Sequence, residues 1–219
     1  VAADELARAL ADGAARLGVA LDAQQQARLL DYQALIGRWT QTYNLTAVRE
    51  PAQMLVQHLL DSLALVGPLR RHTGGAPRAL LDVGSGAGLP GIVLAIACPE
   101  LSVSCVDTVA KKAGFMRQVG AELALRDFAA IHARVETLAP RPWDLIVSRA
   151  FASLADFVAL TQPLLAADGA WIAMKGRRPD DEIAALPAGV EAFHVEPLQV
   201  PGLDAERCLV WMRPRKDSR

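Results

Sequence analysis

The chain has 219 residues, 52% hydrophobic and 5% aromatic, which is enough to bury a sizeable core in one unit and excludes long disordered tails and fibrous repeats. Its 23 Lys and Arg nearly balance 24 Asp and Glu, so no whole-molecule basic field points to nucleic acid, and any positive charge for such a partner must be local. The longest apolar stretches, such as Ile92 to Cys98, fall far short of the ~20 residues of a membrane-spanning helix, and Cys98, Cys105 and Cys208 form no CxxC pair, which suits a reducing cytoplasm.

Val1 in place of Met predicts a short leader absent from this numbering, and no secretory signal opens the chain. From Asp4 to Leu65 apolar residues recur at helical spacing, most clearly Leu29, Tyr32, Ile36, Trp39 and Tyr43. Asp22 with Gln25 predicts a capping box, and Glu50-Pro51 predicts the start of a helix whose His58, Asp61 and Ser62 share one face. Gly67 to Pro77 breaks the pattern, which divides the chain into a helical segment, 1–66, packed on a core of 67–219.

Beyond that break, β-branched runs alternate with helical stretches. Strands are predicted at Ala79 to Val83, Leu101 to Val106, Phe128 to His132, Asp144 to Ser148 and Ala170 to Met174. Helices are predicted at Leu89 to Cys98, Val109 to Leu125 and Leu154 to Leu165. This rhythm predicts an α/β fold with a mostly parallel, Rossmann-like sheet. Glu191 to Leu198 and Cys208 to Met212 are joined by too few residues for a crossover helix, so they predict an antiparallel hairpin. One antiparallel edge strand is the mark of a class I methyltransferase sheet rather than of a nicotinamide dehydrogenase.

Gly84-Ser85-Gly86-Ala87-Gly88-Leu89-Pro90-Gly91 stands where the first strand turns into a helix, and glycines there let backbone approach a ligand closely. Gly86 to Gly91 also fits the GxGxxG dinucleotide fingerprint. Asp82 at the strand end disfavours a pyrophosphate and favours the sulfonium, ammonium and ribose diol of S-adenosylmethionine over NAD. Asp107 ends the second strand, 23 positions after Gly84, where it can accept from both ribose hydroxyls or cap the helix beginning near Ala110. Val135-Glu136, after the third strand, fits the adenine rim or an ordinary exposed loop.

Leu81 to Gly91, Val147-Ser148-Arg149-Ala150-Phe151-Ala152 and Met174-Lys175-Gly176 closely resemble the ribosomal RNA small subunit methyltransferase G family, also called the glucose-inhibited division protein B family. Tyr43-Asn44-Leu45-Thr46-Ala47 and His58-Leu59-Leu60-Asp61-Ser62-Leu63 resemble its two earlier signatures, so the likeness covers nearly the whole chain. The resemblance implies methyl transfer from S-adenosylmethionine to N7 of one guanine in 16S rRNA, free or in the small ribosomal subunit. It also implies cofactor contacts at Gly84, Leu89, Val135, Glu136 and Arg149, to which the residues themselves add Gly86 and Asp107.

None of the three cysteines reads as a nucleophile, and guanine N7 carries no proton, so neither a thiolate nor a general base is expected. Arg149 is expected to position the base, Phe151 to offer a stacking face or join the core, and Asn44, His58 and Lys175 to contact RNA or close the pocket. The scattered histidines His58, His72, His132 and His194 predict no metal site. A monomer is expected. A small-molecule methyltransferase, an NAD-dependent oxidoreductase and a noncatalytic nucleotide-binding module remain open from the residues alone.

The charge is uneven. Residues 1–66 carry five basic and seven acidic side chains and the rest carry 18 and 17. Arg70, Arg71 and Arg78 make one basic stretch, and Arg207, Arg213, Arg215, Lys216 and Arg219 against Asp217 make another, each a candidate for RNA phosphates.

Overall fold

A computed structural model of the chain describes residues 3–215. Two helices open it, α1 (Ala3–Arg16) and α2 (Ala23–Tyr43). The expected capping box starts α2: Asp22 Oδ1 accepts the Gln25 N–H at 2.7 Å, and Gln25 Oε1 accepts the Asp22 N–H at 3.0 Å. Two backbone donors near the helix start are thereby satisfied. After Glu50 the chain runs through α3 (Pro51–Met54), a π-helical turn (Leu55–Leu60) and α4 (Asp61–Leu63). The wide turn and α4 bury His58, Asp61 and Ser62, an unusual polar set for a stretch this apolar.

The expected break at Gly67 is instead the first turn of α5 (Val66–Thr73). Pro68 is tolerated there because a first-turn N–H has no intrahelical partner to lose. The chain turns only at Gly74 and Gly75, both at positive φ, so the division expected at 66/67 falls inside a helix.

Seven strands follow: β1 (Arg78–Val83), β2 (Leu101–Asp107), β3 (Phe128–His132), β4 (Trp143–Ser148), β5 (Leu165–Lys175), β6 (Val190–Leu198) and β7 (Arg207–Pro214). Between them lie α6 (Gly91–Ala97), α7 (Ala110–Glu122), α8 (Leu154–Thr161) and α9 (Asp180–Ala184). The sheet order is β3-β2-β1-β4-β5-β7-β6, parallel from β3 to β5. The reversed strand is β7, which pairs antiparallel with β5 and with the edge strand β6. The antiparallel end expected from the short connection is therefore present, with β7 inserted between β5 and β6. β1 pairs with β2 on one side and β4 on the other, so the topological switch point, where open α/β sheets bind ligands, lies beyond the carboxyl ends of β1 and β4.

Two apolar clusters cover the two faces of the sheet. One joins α2, α6, α7 and the helices before β1, and the other lies under α8. The first cluster also grips the glycine-loop helix by polar contacts. The Tyr32 hydroxyl donates to Ala87 O at 2.7 Å, while Gln25 Nε2 and Arg70 Nη2 donate to Ala97 O at 3.3 and 3.1 Å. The helical segment thus holds both the loop before α6 and the carbonyl end of α6. Tyr32→Phe removes a buried donor and leaves the Ala87 carbonyl unpaired, so urea denaturation should show a loss of about 1–2 kcal/mol; an unchanged midpoint would show that this contact does not hold the loop.

Candidate active site

The loop after β1 is built by close approaches. Gly84 has φ +69°, and a Cβ there would come within 3.0 Å of the Ala150 methyl, so only glycine keeps the β1 and β4 ends this near. Gly91 opens α6 directly over β2, where a Cβ would collide with Cys105 Sγ and come within 2.8 Å of Asp82 Oδ2.

Asp82 is fully buried beneath this loop and lines neither ligand cavity. Its Oδ2 accepts the Gly91 N–H at 2.8 Å, where the positive end of the helix also favours a carboxylate. Burial nevertheless dominates and pushes its pKa up to about 6. The expectation that Asp82 faces a ligand is corrected: it fixes the loop from below.

Asp107 holds the loop from the side. Its Oδ2 accepts the Gly86 N–H and its Oδ1 the Val109 N–H, both at 2.9 Å. Val109, not Asp107, stands at the N-cap position of α7, so the capping alternative takes the form of an Asx turn. Each oxygen has one donor, and a carboxylate offers about four acceptor sites, so capacity remains.

Two cavities meet at Gly84 and Ala150. The smaller, about 240 Å³, is lined by Asp107, Val135, Glu136 and Phe151. The larger, about 530 Å³, is lined by Gly86, Leu89, His58, Arg149 and Lys175. Phe151 therefore stands on the Asp107 side, its ring 5.1 Å from that of Phe157, rather than beside Arg149. Asn44 lines neither cavity. It ends α2 at φ 49° and accepts from Arg49 Nη2 at 2.7 Å, while its neighbours Leu45 and Thr46 line the larger cavity.

The larger cavity is organised around a residue not singled out as a site from the sequence. Asp61, with a side chain only 3% exposed, accepts from Arg149 Nη1 through Oδ2 and from Arg207 Nε through Oδ1, each at 2.9 Å. Arg149 Nη1 also reaches Gln57 O at 3.4 Å, leaving Nε and Nη2 without partners among the described residues. Three separate parts of the chain, α4, the end of β4 and the start of β7, are tied together at this carboxylate. A buried acid inside an otherwise apolar helix was the available signal. Arg207 carried none beyond its place in a basic stretch.

His58 faces the same cavity, its Nε2 2.9 Å from Thr46 Oγ1, and burial lowers its pKa, which favours the neutral imidazole. Lys175 Nζ donates to both oxygens of Glu182, at 3.1 and 2.8 Å, and to Phe151 O at 3.3 Å, fixing the end of β5 to α9. All three cysteines are buried, and burial pushes the Cys98 thiol up to about 12 and Cys105 well above its usual range, unlike an activated thiolate.

The expected basic stretches are largely neutralised. Arg70 pairs with Glu100 at 2.9 Å, Arg71 with Glu196 at 2.6 Å and Arg213 with Glu191 at 2.7 Å. Lys216, Asp217 and Arg219 lie outside the described residues.

Residues 25–210 match the family described as rRNA small subunit methyltransferase G. The ribosomal RNA small subunit methyltransferase G of Methylibium petroleiphilum is 66% identical over 210 residues, covering 96% of this chain and 95% of that protein. That of Leptothrix cholodnii is 62% identical over 203 residues, covering 93% of each. Among solved structures, MtNAS in complex with MTA and tNA covers 97% of this chain and 87% of that chain with a TM-score of 0.57 at 16% identity, a likeness of fold.

Asp61→Ala leaves two guanidiniums facing each other and should lower stability by about 2 kcal/mol in urea denaturation, less than for a fully buried pair because both arginines are partly solvated. A raised carboxyl pKa stabilises the fold fully below the unfolded value of 3.8 and loses that contribution as the pH rises through about 6, amounting to about 3 kcal/mol for Asp82. The stability difference between Asp82→Asn and the wild type should therefore shift toward the variant by most of that amount, about 2 kcal/mol, between pH 4 and 7. Parallel profiles would contradict it.

Proposed function

The chain belongs to the rRNA small subunit methyltransferase G family, and from that premise we propose that it transfers the methyl group of S-adenosylmethionine to N7 of one guanine in bacterial 16S rRNA. The observation that carries the reading is the divided crevice at the switch point. A buried carboxylate and an adenine-sized recess lie on one side, an arginine-lined cavity on the other, and glycine backbone between them.

The residues fit the cofactor. Asp107 keeps acceptor capacity for a ribose diol, Val135 and Glu136 border the recess, and no atom would meet a Cβ at Gly86 within 4 Å, so that stretch of backbone is open to close contact. Gly84 stands where the two cavities meet, Leu89 lines the larger one, and Arg149 can reach the amino-acid end or the base. When bound, S-adenosylmethionine supplies an electrophilic methyl on a sulfonium.

What remains for the protein is orientation. Guanine N7 has an in-plane lone pair and no proton, so no side chain has to take one up. Arg149, held by Asp61, has Nε and Nη2 left to donate to the guanine O6 edge or to lie against the purine face. Neutral His58 and the paired Lys175 complete the wall, and positioning with exclusion of water can contribute on the order of 7–11 kcal/mol in ideal cases. A monomer is the proposed state, and an rRNA target supports a cytoplasmic location.

Transfer of labelled methyl to small subunits lacking the modification, followed by mass spectrometry of the nucleosides, should yield N7-methylguanosine at one position. Methylation of another atom, or NAD binding without binding of S-adenosylmethionine, would overturn the reading. In calorimetry Asp107→Ala should weaken S-adenosylmethionine binding by roughly tenfold or more, about 1.4 kcal/mol; undiminished affinity would remove Asp107 from the ribose contact.

A further inference from the structure

The larger cavity does not end at Arg207. Through Arg207 and Gly176, which line both spaces, it opens into a groove of about 1090 Å³ between the carboxyl end of α1, the turn after β5 and the β6–β7 connection. The charged residues of this groove are Arg16, Arg177, Arg178 and Arg207 against Asp204 and Glu206, so its balance is basic in a chain whose net charge is −1. Arg16 and Arg177 are exposed and have no ion pair or side-chain hydrogen bond among the described residues. Arg178 holds Asp180 at 2.6 Å, but with side chains 59% and 72% exposed this is a solvated pair that gives way to a stronger anion at little cost. Arg207 has Nη2 without a partner among the described residues after binding Asp61 and Glu206 O.

We propose that this groove binds the sugar–phosphate backbone of the rRNA strand beside the target guanine, with phosphates on Arg16, Arg177 and Arg207 while the base occupies the Arg149 cavity. The inference rests on the rRNA reading above and adds where the strand runs. Guanidinium forks match phosphate oxygens, and such contacts fix register and orientation without reading sequence. Continuity decides the occupant. A strand whose base enters the larger cavity must carry its backbone out of the mouth, and Arg207 stands at the junction, tied through Asp61 to the same carboxylate that orients Arg149. Binding of a neighbouring phosphate and placement of the base are thereby mechanically linked.

Arg16→Ala, Arg177→Ala and the double variant test this on unmodified small subunits, with binding measured across a salt series, KM and kcat for the subunit, and calorimetry with S-adenosylmethionine. Each single variant should raise KM several-fold and reduce the slope of log affinity against log salt by about 0.7, the value for one lost phosphate on a single strand. The maximal rate and the affinity for S-adenosylmethionine should stay unchanged. A photo-crosslinker at Gln199, which also lines the groove, should capture 16S rRNA. Unchanged affinity and salt slope in the double variant, or capture of a ribosomal protein instead of rRNA, would overturn the proposal. Absence of methyl transfer by the wild type would overturn the functional reading itself, which the binding measurements, independent of turnover, keep separate.

Discussion

Asp61 is the contact on which the site depends. Its carboxylate is almost wholly removed from water yet accepts from two guanidiniums that remain partly solvated, each at 2.9 Å. A buried charge is costly unless paired, and here one negative charge is matched by two positive ones supplied by different strands. The pairing works in both directions. It permits a buried acid in α4, and it fixes the arginines at the end of β4 and the start of β7, which would otherwise be free to point into solvent. Because Asp61 belongs to the helical segment and the arginines to the sheet, the larger cavity has its shape only when the two parts are joined.

The same logic governs the glycine loop, where fixed backbone takes the place of side chains. Asp107 holds the loop and the start of α7 together, Asp82 holds the start of α6, and Tyr32 reaches across from α2 to Ala87. Both acids therefore act first on the protein's own N–H groups. Only Asp107 keeps a face toward a cavity, because β2 ends one step further along the ligand crevice, whereas Asp82 lies beneath Gly91. Their placement relative to the cavity separates their roles, although both are buried acidic residues near the carboxyl ends of neighbouring strands.

What was legible in the sequence follows from the range of the interactions. The capping box, the proline start at Pro51, the strand–helix rhythm and the hairpin are written in residues a few positions apart, and these elements stand where local chemistry places them. Gly67-Pro68 misled because proline and glycine signal a break only beyond the first turn of a helix, and Val66 had already begun one. Phe151 packs on Phe157 and lines the smaller cavity, and Asn44 lines neither cavity, since the direction of a side chain after a strand or helix end depends on what packs against it. The Asp61 cluster joins positions 61, 149 and 207, a long-range arrangement no spacing rule can expose. The basic stretches read from the sequence were misleading for the same reason: Arg70, Arg71 and Arg213 meet acids far along the chain or across a strand pair.

The near-zero net charge then follows from the division of labour among charged groups. A reaction at an atom without a proton asks for no acid–base pair, so the carboxylates near the site are free to hold backbone and arginines in place. Arg70, Arg71, Arg178 and Arg213 each pair with an acid, and Arg149 and Arg207 share Asp61, so their contribution to a long-range field is largely reduced. Arg16 and Arg177, left without such partners beside the mouth of the cavity, act only on a strand that is already close. A protein built this way gains little from diffuse attraction to RNA and must recognise its target by fit, with the flexible base drawn into a pocket whose walls are fixed before it arrives.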